Sequence, residues 1–327
     1  MESKRNEQNK KWWQNHPEFK KKSSMKRRKV DHDYRGRCIY MLTLVVDGRK
    51  PLLGEICGAD ENHPMPWLKP SKLGRKVLHL WMETWKRQSQ IKIMKVQLMP
   101  DHLHGIVFVT EPMPKHLGLI VSAFTNSCNK ITLSTLGTKL WEPGYNDSIL
   151  FRKRQLKTMI NYLKVNPYRL WMKRNKPEYF TIQRNLDIAG HQVAIAGNRF
   201  LLDHPMKVAV KCSRSINTKD AITHEVERYL ELARNGAVLI SPNISPCEKA
   251  VMRAAFDAGL PEIVVLENGF SRMWKPGGAQ FDACANGQIL FVAPWPHHNE
   301  RKVITRQQCN TMNAIAAAIV TYKPDGL

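Results

Sequence analysis

The chain has 327 residues, which is enough for two domains that each bury a core. Its formal net charge of +23 favours a polyanionic partner. Seven scattered cysteines without a Cys-x-x-Cys pair argue against a disulfide framework and a zinc ribbon, and no apolar run reaches the roughly 18 residues of a membrane span. These features predict a soluble protein of a reducing cytoplasm, with no membrane partner.

Residues 1–35 are predicted to form a basic, disordered arm. Lysine and arginine dominate residues 20–22 and 26–29, and such a segment cannot bury enough apolar surface to fold by itself. Trp12 and Trp13 interrupt the charge and are suited to stacking on exposed bases. Two interpretations stay open for the arm: a solubilising tail, or a segment that contacts phosphates without reading sequence.

Residues 36–178 are predicted to form an α+β domain. Residues 37–46 have the composition of a strand, and residues 51–57 are its expected hairpin partner across Asp47 and Gly48. Helical spacing of apolar residues follows over 71–88 and 113–131. A strand at 91–98 lies between them and is predicted to pair, through the short turn at Pro100, with the strand that follows. Hairpins alternating with helices predict an antiparallel sheet with helices packed on one face.

A pair of histidines lies on the strand that follows residue 100. Side chains alternate along a strand, so His102 and His104 project to one face while Leu103 points to the other. Two imidazoles on one rigid element are half of a divalent-metal site. The alternative is a pair of structural histidines on a polar sheet face, because two ligands alone do not make a site.

A predicted helix over residues 155–166 carries two further candidate side chains. Its apolar residues have the spacing of one buried stripe, and Pro167 predicts that the helix ends there. Tyr162 and Asn166 are i, i+4 neighbours beside that stripe. Two imidazoles and an amide oxygen suit Mg²⁺ or Mn²⁺ better than a structural zinc, and the phenol is a candidate nucleophile.

Basic residues crowd this helix. A run of this kind is usually a solvated face, but in a chain of such high positive charge we predict a groove that follows a nucleic-acid backbone. The predicted DNA contacts are Arg152, Lys153, Arg154, Lys157, Lys164 and Arg169.

Residues 179–327 are predicted to form an α/β domain. A hairpin-like unit near residues 186–202 precedes apolar strands that alternate with helices, which predicts a parallel, doubly wound sheet. Ligands bind such sheets at the carboxyl ends of the strands, where Ser213, Arg214 and Ser241 are expected. Ser245 is a candidate N-cap of the helix that holds Glu248, and the amino end of that helix is a candidate phosphate site.

The N-terminal motifs together resemble those of a known family. The segment from Pro100 to Val107 resembles the His-x-His strand of the HUH single-tyrosine transposases, in particular the REP-associated tyrosine transposases, which usually have Asn where this chain has Asp101. The segment from Tyr162 to Pro167 is similar to that family's Tyr-x-x-x-Asn-Pro helix, and residues 144–150 resemble the segment that precedes it.

The resemblance implies a ferredoxin-like HUH fold and a DNA-strand transferase. It implies Mg²⁺ or Mn²⁺ held by His102, His104 and Asn166, with Tyr162 as the nucleophile that forms a 5′-phosphotyrosine. The implied partner is single-stranded DNA near a hairpin, and the implied location is the cytoplasm, in association with the nucleoid. A homodimer is left open, in which each tyrosine acts in its own or in its partner's site.

The C-terminal half resembles the Rossmann-like fold of DNA-processing protein A. The segment from Val210 to Arg214 stands where that family has Val-Gly-Ser-Arg, and residues 236–241 match a later strand and turn. No Gly-x-Gly-x-x-Gly and no Walker loop occur, so no dinucleotide or ATP is implied. Two alternatives to the transferase stay open: a non-catalytic nucleic-acid-binding protein with a vestigial site, and a factor that loads single strands through its C-terminal domain.

Overall fold

The computed structural model describes residues 29, 32–152, 154–213, 215–300 and 302–323. It divides into two compact units, Met1–Trp171 and Met172–Leu327. In the part of the chain that is described, no helix is both long and apolar enough to cross a membrane. Most of the predicted basic arm lies outside the described residues. Tyr34 is described and is buried, and its hydroxyl donates a hydrogen bond to Asp147 at 2.9 Å.

The N-terminal unit contains six strands and three helices among its described residues. In chain order they are β1 (Cys38–Val45), β2 (Gly54–Cys57), β3 (Trp67–Pro70), α1 (Lys72–Lys86), β4 (Ile91–Met99), β5 (His102–Val109), α2 (Leu117–Leu136), β6 (Asn146–Ile149) and α3 (Gln155–Asn175). The last residues of α3 are assigned to the C-terminal unit.

An antiparallel sheet of four strands, in the order β4-β5-β1-β6, forms the centre of this unit. The predicted pairing of β4 with the histidine strand is confirmed. The predicted pairing of residues 51–57 with β1 is wrong, because β2 pairs with β3 in a separate small sheet. Both edges of β1 are already hydrogen-bonded, to β5 on one side and to β6 on the other, so no edge of β1 remains for β2.

Helices cover both faces of this sheet, whereas the sequence predicted helices on one face. On one face, Trp81 of α1 and Phe124 of α2 pack with Leu103 and other strand residues in the main core. On the other face, Leu163 of α3 packs with Ile106 of β5 in a smaller apolar cluster. Alternation along β5 explains the division, since successive residues point to opposite faces.

The third helix continues past Pro167, so the predicted helix end is wrong. A proline inside a helix removes one backbone hydrogen bond and costs about 3 kcal/mol when nothing compensates. Here Pro167 is itself buried, between the buried Leu163 and Met172. Burial of apolar surface on both sides of the proline offsets the lost bond, and this contribution depends on tertiary contacts.

The described part of the C-terminal unit contains six strands and four further helices. They are β7 (Gln183–Ile188), β8 (His191–Gly197), β9 (Lys207–Ala209), α4 (Lys219–Arg234), β10 (Val238–Ser241), α5 (Pro246–Asp257), β11 (Glu262–Val265), α6 (Ala279–Ala285), β12 (Ile289–Ala293) and α7 (Arg306–Thr321).

One sheet runs through this unit in the order β7-β8-β12-β11-β10-β9. Strands β9 to β12 are parallel, as predicted, and the predicted hairpin is the antiparallel pair β7 and β8. The doubly wound prediction is wrong, because β9 to β12 follow one another in sequence and the strand order never reverses. Residues of α4, α5 and α6 form the apolar clusters on one face, and α7 packs on the other.

Candidate active site

The strand β5 holds the two predicted metal ligands side by side. The ring centroids of His102 and His104 are 4.6 Å apart and nearly perpendicular. The next residue, Gly105, points to the opposite face, where an added Cβ would lie 2.0 Å from the ring of Trp81. Trp81 is fully buried, so core packing requires glycine directly after the histidine pair.

Neighbouring side chains orient both imidazole rings through the same ring nitrogen. Nδ1 of His102 lies 2.6 Å from Oδ1 of Asp101, and Nδ1 of His104 lies 2.8 Å from Oγ1 of Thr43. Arg49 donates a hydrogen bond of 3.1 Å to the second oxygen of Asp101. Among the described residues, neither Nε2 atom has a hydrogen-bond partner. This is the usual arrangement of metal-ligating histidines, which donate the other ring N–H to a carboxylate, a carbonyl or water.

The ionisation of Asp101 selects the tautomer of His102. Burial acts to raise the pKa of Asp101, but the hydrogen bonds and charges of His102 and Arg49 outweigh it, and the pKa lies below its ordinary value. An ionised carboxylate only accepts hydrogen bonds, so Nδ1 of His102 is the donor. In the neutral ring, Nε2 then carries the free lone pair that a metal requires.

Burial keeps His104 in its neutral form. The side chain is 7% exposed, and desolvation together with the neighbouring His102 lowers the pKa of His104 to about 3. Metal ligation requires the unprotonated imidazole. His104 therefore needs no proton loss to bind a cation at neutral pH.

The helix α3 brings the predicted nucleophile to the histidine pair. Leu163 anchors the helix against Ile106, two residues beyond His104 on the same strand face. The ring centroid of Tyr162 lies 6.1 Å from that of His104, and Tyr162 is 36% exposed. The phenol is thus both close to the imidazoles and open to solvent, as a group that attacks a large substrate must be.

Asn166 lies one helical turn beyond Tyr162. It is 8% exposed, and its side-chain amide has no hydrogen-bond partner among the described residues. Among all the residues that the structure describes, no three His, Cys, Asp or Glu side chains cluster closely enough to hold a metal. A cation at His102 and His104 would therefore need a third ligand of another type. An amide oxygen with two imidazole nitrogens fits Mg²⁺ or Mn²⁺, so the residues present are compatible with the implied metal.

Four of the predicted DNA contacts are exposed: Arg152, Arg154, Lys157 and Lys164. Arg169 is half-buried, so it presents less of its side chain to a ligand. Lys153 lies outside the described residues. No acidic partner is within ion-pair distance of the four exposed residues in the described chain, which leaves their charge available to phosphates.

The expected phosphate site at the amino end of α5 is already filled by a side chain. Ser245 caps the helix, as predicted, by accepting a hydrogen bond from the backbone N–H of Glu248. The carboxylate of Glu248 in turn accepts from the N–H groups of Ser245 and Ile244. This capping box engages the N–H groups of Ile244, Ser245 and Glu248 and places the protein's own carboxylate at the helix end, which disfavours the expected phosphate site. Arg214, expected nearby, lies outside the described residues.

Three residues that orient the histidines were missed by the sequence reasoning. Thr43 is opposite His104 in the pairing of β1 with β5, a register that local sequence does not encode. Asp101 is next to His102 in the sequence, whereas Arg49 is distant in sequence and reaches Asp101 only in the folded chain. The Pro-Asp pair before the strand was a usable signal for Asp101, because a carboxylate next to a histidine is a common partner of its ring N–H.

Comparisons with known proteins give distant structural likenesses only. The sequence matches no protein-family model and no curated protein. A REP-associated tyrosine transposase bound to a REP hairpin is similar over 43% of this chain and 72% of its own, with 15% identity and a TM-score of 0.31.

DNA processing protein A from Helicobacter pylori, whose structure concerns its binding of single-stranded DNA, is 18% identical over 43% of this chain and 66% of its own, with a TM-score of 0.33. The same protein from Streptococcus pneumoniae is 21% identical over 52% of this chain and 60% of its own, with a TM-score of 0.33. The chain thus covers less than two thirds of either DNA-processing protein.

Proposed function

We propose that the N-terminal unit is a metal-dependent HUH-type single-tyrosine enzyme that cleaves and rejoins single-stranded DNA, at hairpin-associated sites. The observation that carries the proposal is the placement of Tyr162 beside a histidine pair whose Nδ1 atoms are both engaged. An exposed phenol thus lies beside two imidazoles whose Nε2 atoms are available. A buried structural histidine pair would need neither the available nitrogens nor the adjacent phenol.

His102, His104 and Asn166 would hold the Mg²⁺ or Mn²⁺. When bound, the cation would supply Lewis-acid polarisation of the scissile phosphate. Asp101 and Thr43 fix the rings that hold it, and Arg49 fixes Asp101. The exposed basic residues of α3 and the segment before it would bind the flanking phosphates.

Tyr162 would perform the chemical step. Its hydroxyl oxygen forms a bond to the phosphorus of one phosphodiester, and the bond from phosphorus to the 3′-oxygen breaks. The phenolic proton is lost to solvent, and the 3′-oxygen leaves as a hydroxyl after gaining a proton. The 5′-phosphotyrosine conserves the phosphodiester energy, so a second 3′-hydroxyl can reverse the step and join a new strand.

A covalent-adduct assay tests this proposal. The full chain is incubated with end-labelled, hairpin-containing single-stranded DNA and Mn²⁺ or Mg²⁺, and the products are resolved on a denaturing gel. We expect a protein–DNA band that chelator abolishes and that is absent in Tyr162→Phe and His102→Ala. Tyr168→Phe, on the same helix, is the matched control and should retain the band.

Two results would count against the proposal. Persistence of the adduct in Tyr162→Phe would show that another residue is the nucleophile. Tight, salt-sensitive DNA binding without an adduct on a panel of hairpins would support the non-catalytic binding protein instead.

A further inference from the structure

The C-terminal unit contains a buried carboxyl group without a partner. Three charged side chains of this unit are buried in the described structure: Lys207, Glu248 and Glu262. Lys207 donates to the carbonyls of Leu202 and Tyr322, and Glu248 accepts the capping hydrogen bonds. Glu262 is 2% exposed, and Oε2 of its carboxyl group is buried with no hydrogen-bond donor among the described residues.

Glu262 is one of the residues that line a cavity of about 440 Å³ on the face of the sheet that α5 and α6 cover. A volume of this size lies in the usual range of small-molecule sites. A second acceptor without a partner, Oδ1 of Asn243, belongs to the same cavity. Phe256 and Phe291 supply aromatic surface, and Lys249 supplies positive charge, whereas the guanidinium of Arg253 is already paired with Asp257 at 2.8 Å.

The chemistry of these groups defines the ligand they would accept. An unpartnered buried carboxyl group costs free energy unless a ligand supplies N–H donors to it. Burial, reinforced by the charge of Asp257, raises the pKa of Glu262 to about 8, and donors to the carboxylate would favour its ionised form. The aromatic residues of the lining suit a planar group, and the exposed Lys249 suits an anion attached to it.

Guanine is the standard base that meets these requirements. Its Watson–Crick edge places two adjacent donors, N1–H and N2–H₂, opposite the two oxygens of a carboxylate. Adenine presents an acceptor at N1, cytosine at N3, and uracil or thymine a single N–H between two carbonyls, so each would place an acceptor against the carboxylate. Proteins commonly read unstacked bases through this edge and stack them on aromatic side chains.

We propose that the cavity at Glu262 is a guanine-nucleotide site, in which Glu262 binds the Watson–Crick edge and Lys249 meets the 5′-phosphate. The nucleotide is either free or one unit of a single strand, since both present the same base and phosphate. The site lies in the C-terminal unit and does not depend on Tyr162 or the histidine pair.

Isothermal titration calorimetry of the full chain tests the proposal. The protein, in the presence of chelator, is titrated with the 5′-monophosphates of guanosine, adenosine, cytidine and uridine. In a second arm it is titrated with oligo(dT) and with oligo(dT) that contains one internal deoxyguanosine. We expect preference for guanine of at least tenfold in one or both arms. Preference in the first arm identifies the free nucleotide, and preference in the second arm alone identifies a base within a strand.

Two variants make the test specific. Glu262→Gln keeps the size of the side chain and removes the carboxylate, and it should reduce guanine binding at least tenfold. Lys249→Ala, at an exposed position, should weaken binding of the 5′-monophosphate and leave binding of guanosine unchanged. Equal binding of all bases in both arms, no binding of guanine in either arm, or full retention of guanine binding by Glu262→Gln would overturn the proposal.

Discussion

Replacement of Glu262 by Gln should change how the stability of the C-terminal sheet depends on pH. Glu262 is buried on β11, between β10 and β12, and burial raises its pKa from an ordinary 4.5 to about 8. Between these two pH values the folded state holds a proton that the unfolded state has lost. The contribution of this carboxyl group to the free energy of unfolding is therefore fully present below about pH 4.5 and is lost as the pH rises towards 8.

The size of the effect follows from the two pKa values. Each pH unit between the two pKa values lowers the free energy of unfolding by about 1.4 kcal/mol. The decrease is therefore about 2 kcal/mol at pH 6 and about 4 kcal/mol at pH 8. Glutamine does not titrate, and its different hydrogen bonding adds an offset that is the same at every pH. The free energy of unfolding of Glu262→Gln, relative to the parent protein, should therefore rise by about 2 kcal/mol between pH 6 and pH 8.

Hydrogen exchange in a urea series, read by mass spectrometry at the amides of β10 to β12, measures the unfolding of this sheet separately from the N-terminal unit. Other titrating groups are common to both proteins and cancel in the difference. A difference that stays constant from pH 6 to pH 8 would refute the reasoning, because it would show that the carboxyl group is solvated or has a donor.

Three further predictions concern the orientation of the histidine pair, the packing of the N-terminal core and the cap of α5. Asp101→Ala should reduce Mn²⁺ affinity about 10- to 100-fold by removing the acceptor that orients His102, as measured by electron paramagnetic resonance of free Mn²⁺. Gly105→Ala should destabilise the N-terminal unit by roughly 1–3 kcal/mol or more, because its Cβ would overlap Trp81, and urea unfolding would detect this. Ser245→Ala should cost about 1 kcal/mol in the C-terminal unit by removing the cap of α5, measurable by hydrogen exchange, and an unchanged value would contradict the capping role.

Much of the candidate site could be predicted from local periodicity. The two-residue period of a strand is enough to put His102 and His104 on one face, and the helical period is enough to put Asn166 one turn beyond Tyr162. The same periodicities predicted most of the strands and helices in both units. These features depend on neighbours in sequence, so the sequence contains the information directly.

Only the tertiary structure decided which groups complete and surround the site. Thr43 reaches His104 because β1 and β5 pair in one particular register, and α3 continues through Pro167 because buried contacts on both sides offset a lost hydrogen bond. Glu262 looks like an ordinary charged residue at the start of a strand until the sheet and the helices around it remove it from water. Register, burial and the loss of solvent arise from residues far apart in sequence, and local patterns do not specify them.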